Sequence, residues 1–231
     1  MSDRIEINSS YIEQIVSLIE VNNSTELILI IAELHIADIA DIIEDLSINN
    51  AYFLFNLIEE EKSASVLVEL EQDTREEILS KLTAKEIADG VIDNLESDDA
   101  ADVIGKLPEH KKKEVLALIE DIERASDISD LLTYPEDTAG GLMAKELIKV
   151  NENWTTIQCL KEMRKQAEEV KEVYTIYVID DKHKLLGILS LRKLLLIERD
   201  TPIKDIIFKE IISIKATEND EHVANIMNKY N

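Results

Sequence analysis

The stretch VYTIYVIDDKHKLLGIL (173–189) reads as two β-strands joined by a polar turn. Val173 to Ile179 is rich in β-branched and aromatic residues, which pack well on a pleated, half-buried surface. Asp180, Asp181 and Lys182 supply the turn, and Leu185 to Leu189 is the second strand. Before the pair, Leu147 to Val150 is a short strand, and Thr155 to about Glu169 is a helix with Ile157, Leu160 and Met163 on one face. After it, Leu191 to Glu198 begins another helix. The order is β-α-β-β-α. It then restarts, with Ile211 to Ile214 (IISI) expected as a strand and Glu218 to Tyr230 as a helix.

Upstream of residue 134 the periodicity is different. Leu46, Leu57, Leu70, Leu82, Leu95 and Leu107 recur every 11 to 13 residues, each closing a short run with helical i, i+3, i+4 spacing: ADIADIIEDL (37–46), SASVLVEL (63–70), AKEIADGVIDNL (84–95) and SDDAADVIGKL (97–107). Asp73 with Glu76, and Thr83 with Glu86, have the spacing of capping boxes, and Pro108 suits the first position of a helix. Helices this short do not persist alone and must stack on neighbours. Pairs of them repeated every two leucines imply a helical superhelix, with an irregular helical bundle as the alternative.

Composition limits the function. With 45% hydrophobic and 32% charged residues among 231, the chain is globular. Its longest apolar run, Leu27 to Ala32, is far short of the roughly 18 residues of a membrane span. The start, MSDRIEINSS, has no apolar signal core, and a lone cysteine, Cys159, fits a reducing compartment. Residues 1–133 carry 32 acidic and 10 basic side chains, whereas 134–231 carry 17 and 15. A field of that sign repels nucleic acid and attracts cations or basic partners, although acidic helices can equally be plain solvated surface. Lys111, Lys112 and Lys113 are too few, among too many acids, to bind nucleic acid.

Three features together resemble the MgtE family of magnesium transporters. YPEDTAGGLM (134–143) is similar to that family's junction between an acidic helical domain and paired CBS domains. ELHIADIA (33–40) and ESDDAAD (96–102) are similar to its helical domain, and TIYVI (175–179) and LGILSLR (186–192) to its first CBS domain. The resemblance implies an α+β multidomain chain: an all-α superhelical domain at 1–133, a CBS domain at 134–205, and an incomplete second CBS domain at 206–231. It implies a cytosolic, magnesium-sensing regulatory region at the cytoplasmic face of the membrane. A transmembrane domain of the same transporter would lie beyond this chain, and CBS helices would pair two copies as a homodimer.

Magnesium favours hard oxygen ligands, keeps several waters and takes only one or two carboxylates from a protein. Asp98 and Asp102, four apart, project from one helical face, where like charges repel and a divalent cation would relieve them. Taken without the family, the pair is what any acidic surface helix carries. By resemblance, Asp98 and Asp102 are metal ligands, and Gly141 contributes a backbone carbonyl at the junction. Glycine there would allow close approach or an unusual φ. Also by resemblance, Glu221 is a carboxylate ligand in the second CBS unit, Asn228 offers a carbonyl, and Asn231 stands where the family often has Asp. Ser65 stands where the family has a ligand Glu.

No enzyme is expected. His35, His110, His183 and His222 are scattered, and no phosphate-cradling glycine loop or nucleophile–base spacing occurs. His35, beside an apolar helix face, suits a structural role. CBS domains can hold adenine nucleotides through a Gly-to-Ser pattern followed by Asp. Gly187 to Ser190 match it, but Lys193 replaces the Asp, leaving a cation that could meet phosphate and no ribose acceptor. An adenine-nucleotide sensor and a protein-binding helical scaffold are the alternative readings.

Overall fold

A computed structural model describes residues 7–167, 170, 173, 175–198 and 200–230. The chain divides into two compact units, Met1–Thr133 and Tyr134–Asn231. Tyr174 and Glu169, which fall in expected elements, lie outside the described residues, as does Asn231.

Among the described residues, the first unit holds ten helices: Ser9–Glu20 (α1), Ser24–Glu33 (α2), Ile36–Glu44 (α3), Ile48–Phe55 (α4), Glu60–Glu69 (α5), Gln72–Lys81 (α6), Ala84–Gly90 (α7), Ser97–Gly105 (α8), Glu109–Leu118 (α9) and Ile122–Leu131 (α10), with a 3₁₀ turn at Ile92–Asn94. Each helix with its connection is about as long as the spacing of the repeated leucines, because the leucines sit where the chain reverses. Leu70, Leu82, Leu95 and Leu107 are buried at those reversals. Alternate helices pack together: α3 on α5, α5 on α7, α7 on α9, and α4 on α6, with α8 on α10 past the 3₁₀ turn. Two-helix repeats stacked in this way are a superhelix. Its core is aliphatic, with Leu27, Ile39, Ile43, Leu67, Ile87 and Ile104 fully buried.

Thr83 and Glu86 form the expected capping box, Thr83 Oγ1 accepting from the Glu86 N–H and a Glu86 carboxylate oxygen accepting from the Thr83 N–H. Hydrogen bonds donated by the Thr83 N–H and hydroxyl hold the Glu86 carboxyl below the usual carboxylate range. The expected box at Asp73 and Glu76 is absent. α6 starts at Gln72 with Glu71 as its cap residue, so Asp73 already lies in the first turn. Glu44 at the end of α3 supplies the cap instead, accepting from the Glu71 N–H at 2.7 Å and from the Thr74 hydroxyl at 2.5 Å. Pro108 is the cap residue of α9 and precedes its first turn.

The second unit contains Ile148–Asn151 (β1), Thr156–Gln166 (α11), Thr175–Ile179 (β2), Leu185–Ser190 (β3), Leu191–Leu196 (α12) and Asp220–Tyr230 (α13). The strands form one sheet in the order β1-β2-β3, parallel between β1 and β2 and antiparallel between β2 and β3. Ile148 pairs with Ile176, Val150 with Val178, and Ile176 with Leu189, which sets one apolar face against Cys159, Leu194 and Ile203. The β2–β3 turn is organised by Asp180, whose Oδ1 accepts from the Lys182 and Lys184 N–H groups, with His183 at φ 60°. Burial pushes the Cys159 thiol up to about 11, so it is a small core side chain and not a nucleophile.

The expected strand at Ile211 to Ile214 does not form. Strand character needs a partner for the backbone groups, and the segment has no ladder among the described residues. β3 is bonded instead by Phe208, with Ile188 N–H to Phe208 O at 2.9 Å and Phe208 N–H to Ile188 O at 2.8 Å.

Candidate metal centre

Asp98 and Asp102 both stand on α8, one turn apart, and α8 opens with Asp98 and Asp99 in its first turn, where the helix dipole favours negative charge. Asp98 is half-buried and Asp102 exposed. Asp98 Oδ1 is buried with no hydrogen-bond partner. A shielded carboxylate oxygen without a donor is unfavourable, by about 1–3 kcal/mol or more when charged. A cation, or a water bound to one, would satisfy it.

Gly141 lies in the tight turn of 135–142, its N–H donating to Thr138 O at 3.0 Å. Its φ is not positive, so the expected unusual backbone conformation is not the reason for glycine. Close approach is: a Cβ there would stand 2.5 Å from the Pro135 carbonyl oxygen. Glu221 and Asn228 are both exposed on α13. Seven residues of helix put about 10 Å between them along the axis, too far for one ion to meet both side chains directly. Among the described residues no three His, Cys, Asp or Glu side chains converge as a metal cluster. An ion bound by one or two carboxylates and its own waters fits such a chain; a dehydrated, all-protein cage does not.

Residues 34–137 match the family described as the MgtE intracellular N domain, and residues 139–200 match the CBS domain. The chain is homologous to the MgtE transporters. It is 28% identical over 207 residues to a magnesium transporter MgtE of Thermus thermophilus, covering 87% of this chain and 45% of that protein. A magnesium transporter MgtE of Enterococcus faecalis is 33% identical over 108 residues, 47% of this chain and 24% of that protein. The solved cytosolic domain of the Mg2+ channel MgtE in complex with ATP aligns at a TM-score of 0.84 and 27% identity, over 95% of this chain and 89% of that one. The chain spans about half the length, or less, of the curated MgtE relatives it matches.

Within the MgtE N domain, Ser65 sits on α5 and turns back on its own helix, its hydroxyl donating to Glu61 O at 3.3 Å. His35 caps α3, Nδ1 accepting from the Ala37 N–H, so it is structural. Four of the few cations are structural too, which the sequence did not announce. Lys62 Nζ donates to Ile31 O and Leu34 O, Lys111 Nζ to Leu79 O and Leu82 O, Arg124 to Ile92 O and Leu95 O, and Arg75 to Val68 O and Leu70 O. Each cation stabilises the carbonyl end of a helical turn. The first three reach back 28 to 32 residues, and that spacing, in a domain with 10 basic residues, was the available signal. Burial pushes the Lys111 ammonium below its ordinary value.

In the CBS domain, Lys193 Nζ donates to Ile206 O at 2.6 Å and its N–H to Ser190 Oγ. Its ammonium is thus held by the protein's own backbone, which weakens the expectation that it meets a phosphate. The other face of the sheet borders an open groove of about 1040 Å3, lined by Tyr177, Ile188, Phe208, Ile226 and Met227 among others.

Proposed function

We propose that this chain is the cytosolic magnesium-sensing region of a magnesium transporter or channel, at the cytoplasmic face of the membrane. The observation that carries the reading is the buried, unpartnered Asp98 Oδ1 on the first turn of α8, in a unit whose sequence has 32 acidic and 10 basic residues. Asp98, Asp102 and the Gly141 carbonyl are the leading magnesium ligands. Glu221, Asn228 and Asn231 contribute oxygens to further ions, each ion keeping most of its waters.

The physics is charge neutralisation. Without the ion, the acidic unit repels itself and any acidic neighbour. Magnesium bound between the helical and CBS units favours a compact arrangement, and in the intact transporter that arrangement closes the pore when the cell holds enough magnesium. The ion acts only through its different affinity for the two arrangements, so weak sites near cellular magnesium levels suffice. CBS helices pair two copies as a homodimer. The role is regulatory, and no catalytic step is assigned to any residue.

Asp98→Asn with Asp102→Asn is expected to flatten the magnesium-dependent compaction of the chain seen by small-angle scattering. A double variant that compacts with magnesium as the parent does would make these residues ordinary surface carboxylates.

A second reading is adenine-nucleotide binding by the CBS unit. The ATP complex of the solved MgtE relative and the open groove beside the sheet favour it; Lys193 in place of the ribose-binding Asp opposes it. Calorimetric titration with ATP separates the two readings, since only the nucleotide reading gives heat of binding without magnesium.

A further inference from the structure

The turn at residues 134–142 is bonded to the segment that leads into α13. Gly140 N–H donates to Ala216 O at 2.7 Å, Ala139 N–H to Glu218 O at 2.8 Å, and Asp220 N–H to Asp137 O at 3.0 Å. Thr138 and Asn219 form an antiparallel bridge among these bonds. Asp220 is the first residue of α13. Its N–H is one of the donors that a helix start leaves without an intrahelical acceptor, and the Asp137 carbonyl satisfies it across 83 residues of sequence. The next donor, Glu221 N–H, is shared between Asp220 Oδ1 at 2.7 Å and Asn219 Oδ1 at 3.0 Å, and Asn219 is the residue bridged to Thr138.

Close packing holds the turn in the shape that makes these bonds. Thr138 N–H and Oγ1 both donate to Pro135 O, at 3.1 and 2.7 Å. A Cβ on Gly140 would stand 2.4 Å from Tyr134 Cδ1 and 2.5 Å from Cγ, at the inner edge of the ring where the side chain has least freedom to yield. The Tyr134 ring therefore covers the Gly140 backbone directly.

The geometry points to a latch: the Tyr134–Leu142 turn is a long-range N-cap of α13, and the two open and close as one element. The residues that directly follow the helical unit in the chain thereby fix where α13 starts and where Glu221 points. Asp137, Thr138, Ala139 and Gly140 are positioning residues for Glu221. The latch exists independently of the magnesium reading. If that reading is also correct, an ion that orders α13 orders the turn by the same free energy, and the reverse, because such coupling is reciprocal.

Amide hydrogen exchange on the full chain tests it. In the parent, the Ala139, Gly140 and Asp220 amides are expected to share one opening rate. Gly140→Ala should speed all three together, by about 5- to 150-fold for a methyl forced into a packed site, while Ile176 and Leu189 amides in the sheet keep the parent rate. Tyr134→Ala combined with Gly140→Ala removes the ring that the methyl meets and should restore much of the protection at Asp220. Unequal opening rates in the parent would overturn the latch without any variant, as would a Gly140→Ala effect that stops short of Asp220. Adding MgCl2 to the parent should raise protection at all three amides together; a rise at Asp220 alone would also overturn it. No rise anywhere, with the shared opening intact, counts against the ion and upholds the latch.

Discussion

Replacing Arg124 by methionine is expected to destabilise the helical unit by about 2–4 kcal/mol, read as loss of helical signal in urea. The guanidinium on α10 donates to the carbonyls of Ile92, which opens the 3₁₀ turn, and Leu95, which caps it, and both are charge-assisted bonds in a partly buried site. Methionine keeps the apolar stem and removes both. The deficit should depend on pH through Asp93. That carboxyl is held above the usual carboxylate range, first by loss of hydration, with Asp89, Glu120 and Asp121 adding to the shift and Arg124 opposing it. A raised folded-state value means that ionising Asp93 costs stability as pH rises through it. Without Arg124 that cost grows, so the gap between variant and parent should narrow as the pH falls from 7 toward about 4. A deficit under about 0.5 kcal/mol, the size of an ordinary surface change, would show that the cation ties nothing.

Gly187→Val is expected to cost the CBS unit about 3 kcal/mol. A Cβ at this position would meet the Phe208 carbonyl oxygen at 2.4 Å, and the carbonyl carbon at 3.2 Å, so the obstacle is backbone and cannot rotate away. Overpacking alone costs about 1–3 kcal/mol. Pushing the Phe208 backbone off β3 also strains the paired bonds between Ile188 and Phe208, each contributing about 1 kcal/mol. Trp154, the single tryptophan, packs against the core of this unit, so its fluorescence in urea follows this unit specifically. If Gly187 belonged only to a nucleotide-type sequence pattern, valine would leave the Trp154 transition where it is in the parent.

These two residues show how much was legible in the sequence. The β2–β3 pair was, because alternating β-branched and aromatic residues around an Asp-rich turn leave few other solutions, and Ile176 and Val178 are buried as that alternation requires. Ile211 to Ile214 has the same local character and no ladder, since pairing depends on a neighbour and not on composition. The helical repeat was legible from its leucines. Its caps were legible only where they are local: Thr83 and Glu86 lie three apart, whereas Glu44 reaches α6 from 27 residues away. Arg124 and Gly187 act through partners that no local window contains. The same holds at the candidate centre. The i, i+4 spacing of Asp98 and Asp102 was visible, but the shielding that leaves Asp98 Oδ1 without a donor comes from the fold around α8. Of the two reasons open for a glycine at 141, close approach to Pro135 holds and left-handed φ does not.

The most direct test of the account is a magnesium titration of the full chain followed residue by residue in amide NMR spectra, at constant ionic strength. The account predicts saturable shifts centred on residues 97–103 of α8, lost in Asp98→Asn and unchanged in a variant of an acidic residue remote from α8, such as Glu20→Gln. Small, unsaturating shifts spread evenly over the acidic helices, identical in Asp98→Asn, would contradict it, because magnesium would then only screen the charge of the unit.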